Sequence, residues 1–193
     1  MGEGPPGPLS VTQYYLAQSL DGYIAEADHG LDWLTKYGGE SEADVSEATD
    51  GSYDAFFAQV GAVAMGSATY EFILAEGSGW PYQDVPSWVF TSKERPVPDG
   101  ADVRFADGPV GPVHEEMRAA AGERNVWIVG GGDLASQLAD AGLLDELHVT
   151  VVPVVLGDGI PTFAHRLGQE LRLAGTRAFS NGMVELRYRL VRG

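Results

Sequence analysis

The sequence predicts an α/β domain: a mostly parallel central sheet between helices, closed by an antiparallel C-terminal ribbon. Three observations carry this. Two stretches, 61–74 and 126–142, each read as a strand, a glycine turn and a helix. Their opening runs, GAVAM and VWIV, are continuously apolar, as in strands buried on both faces. Near the C-terminus, two period-two segments flank Ser180-Asn181-Gly182, a hairpin signal.

The elements follow in order. Residues 1–10 are rich in Gly and Pro and are expected to be a disordered tail. Residues 11–193 are expected to form one domain. Val11–Ala17 reads as the first strand, left through a turn at Asp21-Gly22. Leu31–Leu34 is a short apolar island, and 38–51 is acidic and polar, a solvated loop. Tyr53, Phe56, Phe57 and Val60 suggest a short helix against the core. Gly61–Met65 is a strand, and Gly66-Ser67-Ala68-Thr69 turns into a helix bearing Tyr70, Phe72, Ile73 and Leu74. Gly77–Tyr82 is a loop, and Ser87–Thr91 and Val103–Ala106 are strands. Pro112–Ala121 places Val113, Met117 and Ala121 on one helical face. Val126–Val129 is a strand, followed by Gly130, Gly131 and Gly132. The next helix buries Leu134, Leu138 and Ala141, with Asp133 as N-cap or first-turn acid and Gly142 closing it. Leu147–Leu156 is a long strand in which Pro153 signals a sheet edge or a bulge.

Composition narrows the function. The 193 residues suffice for a single core. The net charge of −16 disfavours nucleic acid and anionic membranes as partners. The absence of cysteine excludes disulfides and thiol chemistry. No run is long and apolar enough to span a membrane, and the N-terminus lacks a secretory pattern, which points to the cytoplasm. His29, His114, His148 and His165 have no metal-ligand spacing, and neither a nucleophile elbow nor a P-loop is present.

The glycine turn is the leading site. A helix N-terminus behind side-chain-free backbone offers N–H groups and a favourable dipole to a phosphate. A tight turn alone is the competing explanation. Gly130, Gly132 and Ala135 fit G-x-G-x-x-A, but Thr150–Val154 lacks the acid a doubly wound dinucleotide domain places there. Gly66, Ser67 and Thr69 make a second turn of this kind. Thr91, Ser92, Lys93 and Arg95 stand at another strand end, where α/β sheets bind ligands. Asp21, beside apolar Leu20, Tyr23 and Ile24, is either a proton-handling carboxyl with a raised pKa or a turn former. Asp32 with Trp33 is a second carboxylate candidate. Trp80 and Tyr82 either wall a flat substrate or pack in the core.

These motifs together resemble the dihydrofolate reductase-like fold, in the branch of the riboflavin biosynthesis reductase C-terminal domain. The matching pieces are SLDGYIA (19–25), LDWL (31–34), VAMGSATYE (63–71), WPY (80–82), VFTS (89–92), VWIVGGGDLASQLADAGLLDEL (126–147) and VVPVVLGDGIPTF (151–163). The resemblance implies a three-layer α/β/α sandwich, NADPH-dependent reduction with NADH as the other candidate, a small-molecule substrate and a homodimer joined through the C-terminal strands. It places Gly130–Leu134 at the cofactor diphosphate, and Gly66, Ser67 and Thr69 at the second turn. Thr91 and Ser92 fall by the adenosine, and Ala17, Gly22 and Ile24 on the nicotinamide side. Asp21 would face the substrate. Related members carry Arg-Lys after the second-turn glycine, and this chain has Ser67-Ala68. Lys93 or Arg95 is then the expected counter-charge for a 2′-phosphate. The implied reaction is hydride transfer to a small flat heterocycle, such as a pterin or aminopyrimidine. The alternative is a reductase-fold protein that binds cofactor or ligand without turnover.

Overall fold

The computed structural model describes residues 10–38 and 52–191. The expected tail except Ser10, and the expected acidic loop except Gly38, lie outside them. An eight-stranded sheet runs through the described residues in the order β5-β4-β3-β6-β1-β7-β10-β9. Its parallel strands are β1 (Thr12–Ser19), β3 (Val60–Gly66), β4 (Ser87–Phe90), β5 (Val103–Ala106), β6 (Asn125–Gly130) and β7 (Glu146–Val152). The antiparallel ribbon is β9 (Glu170–Ala178) with β10 (Val184–Val191), and β10 pairs with β7. A small antiparallel pair, β2 (Tyr23–Ala25) and β8 (Ile160–Pro161), lies apart from it.

Alternation along the strands produces the layers. On one face Tyr14, Leu16, Ala64 and Ile128 pack under α4 (Val110–Ala121) and α5 (Gly132–Asp140). On the other, Tyr15, Met65 and Trp127 pack under α2 (Ser52–Phe57) and α3 (Ser67–Glu76). The short α1 (Asp32–Gly38) inserts Trp33 against Val152, Phe179 and Met183. The three-layer sandwich and the ribbon are as the sequence predicts.

Two local features differ. Pro153 ends β7 rather than marking an edge: β7 is internal, between β1 and β10. The chain then bends, with Val154 N–H donating to the Val152 carbonyl and Leu20 N–H to the Val154 carbonyl. The helix expected from Pro112 begins at Val110, with Pro109 as its N-cap. Asp133 is the first-turn acid, the second of its two expected places, since Gly131 is the N-cap of α5; it accepts a hydrogen bond from Gln137 at 2.6 Å.

Candidate active site

Because all six parallel strands point the same way, their C-terminal ends share one edge of the sheet. β3 and β6 are neighbours, with Met65 in register with Gly130. The two glycine turns therefore stand side by side. A Cβ on Gly131 would lie 3.5 Å from Gly66 N and 3.7 Å from Gly66 Cα. Gly131 also holds φ at +105°, a conformation L side chains rarely adopt. Its neighbours need glycine for space. A Cβ on Gly130 would lie 2.6 Å from Thr69 Oγ1, and one on Gly132 would lie 2.6 Å from the Pro161 carbonyl oxygen.

Two helix N-termini, α3 and α5, open beside these turns. Neither N-cap, Gly66 or Gly131, makes a side-chain capping bond. Their first-turn N–H groups have no intrahelical partner, and the helix dipoles add partial positive charge at one place. An anion of diphosphate type matches that chemistry.

A cavity of about 320 Å³ adjoins the turns, which is ligand-sized. Of the residues singled out in the sequence, Ala17, Ile24, Thr69, Gly130 and Gly131 line it. Gly66 and Ser67 flank it at the start of α3. Gly132 and Leu134 begin α5, with Leu134 buried in the core beneath the sheet. Gly22 holds its turn at φ +89°, and its carbonyl accepts hydrogen bonds from Thr162 N–H and Oγ1–H. Thr91, Ser92 and Lys93 follow β4 at the same sheet edge but do not line the cavity; Thr91 Oγ1 accepts from Lys93 N–H at 3.1 Å. Arg95 is engaged with Glu71, at 2.6 Å between Nη2 and Oε1.

On the substrate side, Asp21 and the pair Trp80 and Tyr82 take the second of the two readings left open, turn former and core residues, and Asp32 and Trp33 lie off the cavity. Asp21 does not line the cavity. Its carboxylate accepts from Ser19 Oγ at 2.7 Å, Gly157 N at 2.7 Å and Leu156 N at 3.1 Å. The Ser19 hydroxyl and these N–H groups hold its pKa down at about 2, the opposite of a proton donor near neutrality. Asp21 ties the β1 turn to the loop after β7. Asp32 is exposed on the first turn of α1 and also lies off the cavity. Trp33 is buried in its own small cluster, while its neighbours Leu31, Leu34 and Thr35 line the cavity. Trp80 and Tyr82 are core residues, 5% and 0% exposed, in an edge-to-face stack with Tyr70 and Trp127.

Other lining residues carry signals the sequence reading passed over. Thr69, Phe72, Ile73 and Glu76 fall at i, i+3, i+4 and i+7, one face of α3, and all line the cavity. Tyr15 shares a face of β1 with Ala17, two residues on. Thr150 is in register with Ala17 across the β1–β7 pair. Such pairing is not written locally in either strand. Burial pushes the Tyr15 hydroxyl above its ordinary pKa.

Over residues 12–185 the chain matches the model of the RibD C-terminal domain. The chain belongs to this family. Among similar members is the uncharacterized protein YwjB of Bacillus subtilis (strain 168), 37% identical over 185 residues, with 92% of this chain and 96% of that protein covered. A Shewanella sp. PV-4 structure named for riboflavin biosynthesis superposes with a TM-score of 0.78 at 25% identity, covering 94% of this chain and 99% of that one. The fold extends to dihydrofolate reductase: that of Enterococcus faecalis, complexed with NADP(H) and RAB-propyl, gives a TM-score of 0.61 at 17% identity, covering 94% and 97%. The RibD C-terminal domain here thus has a reductase-type, dihydrofolate reductase-like fold. Among its described residues no helix is long and apolar enough to cross a membrane.

Proposed function

We propose that this RibD C-terminal domain is an NADPH-dependent reductase of a small flat heterocycle, with NADH as the alternative cofactor. One observation carries the reading: two uncapped helix N-termini meet across the Gly66 and Gly131 turns at the wall of a ligand-sized cavity. The residues fit the cofactor, since Gly66 and Gly131 leave space where side chains would stand and the helix starts behind them offer N–H groups to a diphosphate. Gly130, Gly131 and the first turns of α3 and α5 would hold it, with Thr69 beside them. Ala17 and Ile24 would form the nicotinamide side. When bound, reduced nicotinamide supplies a hydride to an electrophilic C=N or C=O carbon. The chain's share is orientation and the exclusion of water, which Phe72, Ile73, Trp127 and Met183 provide by lining the cavity with apolar surface. Lys93, exposed after β4, is the proposed contact for a 2′-phosphate, because Arg95 is already paired with Glu71.

Titration of tryptophan fluorescence with NADPH and with NADH tests this, since Trp127 lines the cavity. Saturation below millimolar cofactor is expected, and no binding of either overturns the proposal. A second reading, binding without turnover, draws on Asp21, which is held ionised and off the cavity. Cofactor oxidation with any one of a panel of pterins, aminopyrimidines and quinones would reject it.

The proposed assembly is a homodimer through the C-terminal strands. Among the described residues β9 is last in the sheet order and leaves one edge of nine residues unpaired, with its own Leu171 and Leu173 exposed. Sedimentation equilibrium showing only monomer at micromolar concentration would overturn it.

A further inference from the structure

Reducing a C=N or C=O group adds a hydride to carbon and a proton to the heteroatom, so a site of this kind needs an acid within reach. Asp21 cannot serve, because it is held ionised and off the cavity. Tyr14, Tyr15 and Tyr53 line the cavity, but phenols are weak acids. Burial weakens two of them further: the Tyr14 hydroxyl, which donates to the Thr162 carbonyl at 3.3 Å, and the Tyr15 hydroxyl, which is bonded to Ser52 and Thr150. Glu76 as a carboxylate only accepts. Among the described lining residues that leaves one side chain of a type that gives a proton near neutral pH, the imidazole of His29.

His29 differs from the other three histidines of the chain. Those are held by side chains: His114 Nε2 lies 2.7 Å from Thr12 Oγ1, His148 Nε2 3.2 Å from Glu146 Oε2, and His165 Nε2 2.8 Å from Asp140 Oδ2. The His29 ring makes no hydrogen bond to any described residue. It is exposed as well as cavity-lining, so it meets a ligand on one side and water on the other. Its backbone is also unusual. At φ +69° it is the one non-glycine among the described residues with a positive φ. The turn that fixes it hangs from β2, whose Ala25 pairs with Ile160, and both of these line the cavity. Within the turn, His29 N–H donates to the Glu26 carbonyl at 2.9 Å and Glu26 N–H to the Gly30 carbonyl at 3.0 Å. Glycine would hold this conformation at no steric cost, so the backbone does not account for a histidine here.

We infer that His29 gives the proton that completes the reduction. This rests on the reading of the cavity as a reductase site and supplies the acid that reading lacks. The substrate's C=N or C=O carbon takes a hydride, with both its electrons, from reduced nicotinamide. The π pair moves to the heteroatom, which takes the ring N–H proton of the His29 imidazolium. The imidazole left behind regains its proton from water. The charged side chains that accompany His29 are Glu26 and Asp28 in its own turn, Asp32 in the first turn of α1, and Glu76 from α3, which shares the cavity wall.

Two ring acceptors test it. Hydride addition to N-methylacridinium gives a neutral product without a proton, whereas the nitrogen of acridine must take one. His29→Asn keeps a residue that tolerates positive φ and removes the titrating ring, so the variant should fold with little change in Tm. It should slow NADPH oxidation by acridine about tenfold or more, in kcat rather than KM, and flatten the pH dependence of that rate. The rate with N-methylacridinium, corrected for the uncatalysed reaction, should stay within about twofold. Equal slowing of both acceptors, or of neither, overturns the inference. A second measurement needs no turnover: the His29 Cε1–H signal, assigned by its loss in H29N, is followed by NMR in the full chain saturated with NADP⁺. Adding acridine should move this signal and leave those of His114 and His165 in place; no movement overturns the inference. A wild type that reduces neither acceptor while the signal moves overturns the proton transfer and favours binding without turnover. If NADP⁺ itself fails to bind, the failure is that of the cofactor reading, and the inference falls with it.

Discussion

Replacing Gly131 with alanine separates backbone strain from loss of the anion cradle. The native φ of +105° suits glycine, and holding alanine there costs about 1–3 kcal/mol. At this chain length each kcal/mol corresponds to a fall in Tm of about 2–4 °C. The new methyl has room in the free protein: its nearest neighbours are Gly66 N at 3.5 Å and Gly66 Cα and Leu134 Cβ at 3.7 Å. The fold should therefore survive. The methyl stands in the gap between the two turns, where the proposed diphosphate meets the N–H groups. Losing even one charge-assisted hydrogen bond, about 1.5–3 kcal/mol, weakens binding by about 10–150-fold. Gly142→Ala is the control. It has φ +69° just past the other end of α5, and no atom lies within 4 Å of a Cβ there. It should show a similar loss of Tm with unchanged cofactor affinity. Differential scanning calorimetry and NADPH titration on both variants decide the matter. If G131A binds NADPH within threefold of wild type, the turn is structural only.

The neighbouring glycine should behave differently. Gly132→Ala drives a methyl to 2.6 Å from the Pro161 carbonyl oxygen and 2.9 Å from that of Thr162, both backbone atoms, so a loss of about 1–3 kcal/mol in denaturant unfolding is expected; a change below about 0.5 kcal/mol, the range of neutral surface substitutions, would refute that steric account. Asp21, with its pKa lowered from 3.8 to about 2, binds fewer protons folded than unfolded at acid pH. Its contribution is therefore present above about pH 4 and fades as pH falls towards 2. Asp21→Asn should lower Tm at neutral pH, with the gap to wild type closing in acid; a gap independent of pH contradicts the assignment. Trp80→Ala should cost about 3–5 kcal/mol through lost core packing and leave the cofactor affinity of the folded protein unchanged. Weakened NADPH binding without destabilisation would return Trp80 to the site.

Much of the fold was legible because its signals are short-range. Continuous apolar runs mark β3 and β6, and period-two segments around Ser180-Asn181-Gly182 mark the ribbon. The paired glycine turns were legible for the same reason, since each is a contiguous strand–turn–helix. The substrate side was less so. In sequence, Asp21 is a carboxyl among apolar neighbours. In the fold the Ser19 hydroxyl, two residues away, does most to lower its pKa, and N–H groups at Leu156 and Gly157, more than 130 residues away, lower it further, against the expected direction. Trp80 and Tyr82 follow glycines in a loop and look exposed, yet Tyr70 and Trp127 close around them.

What the sequence determined by itself was the order of the main strands, glycine turns and helices. Periodicity and backbone freedom are properties of consecutive residues. The tertiary structure alone decided that the Gly66 and Gly131 turns would touch, that Thr150 would sit beside Ala17, and that no Lys or Arg would be among the described residues lining the cavity. Burial, hydrogen-bond partnership and local charge are set by whichever distant segments the sheet brings together, and no single stretch of chain contains them.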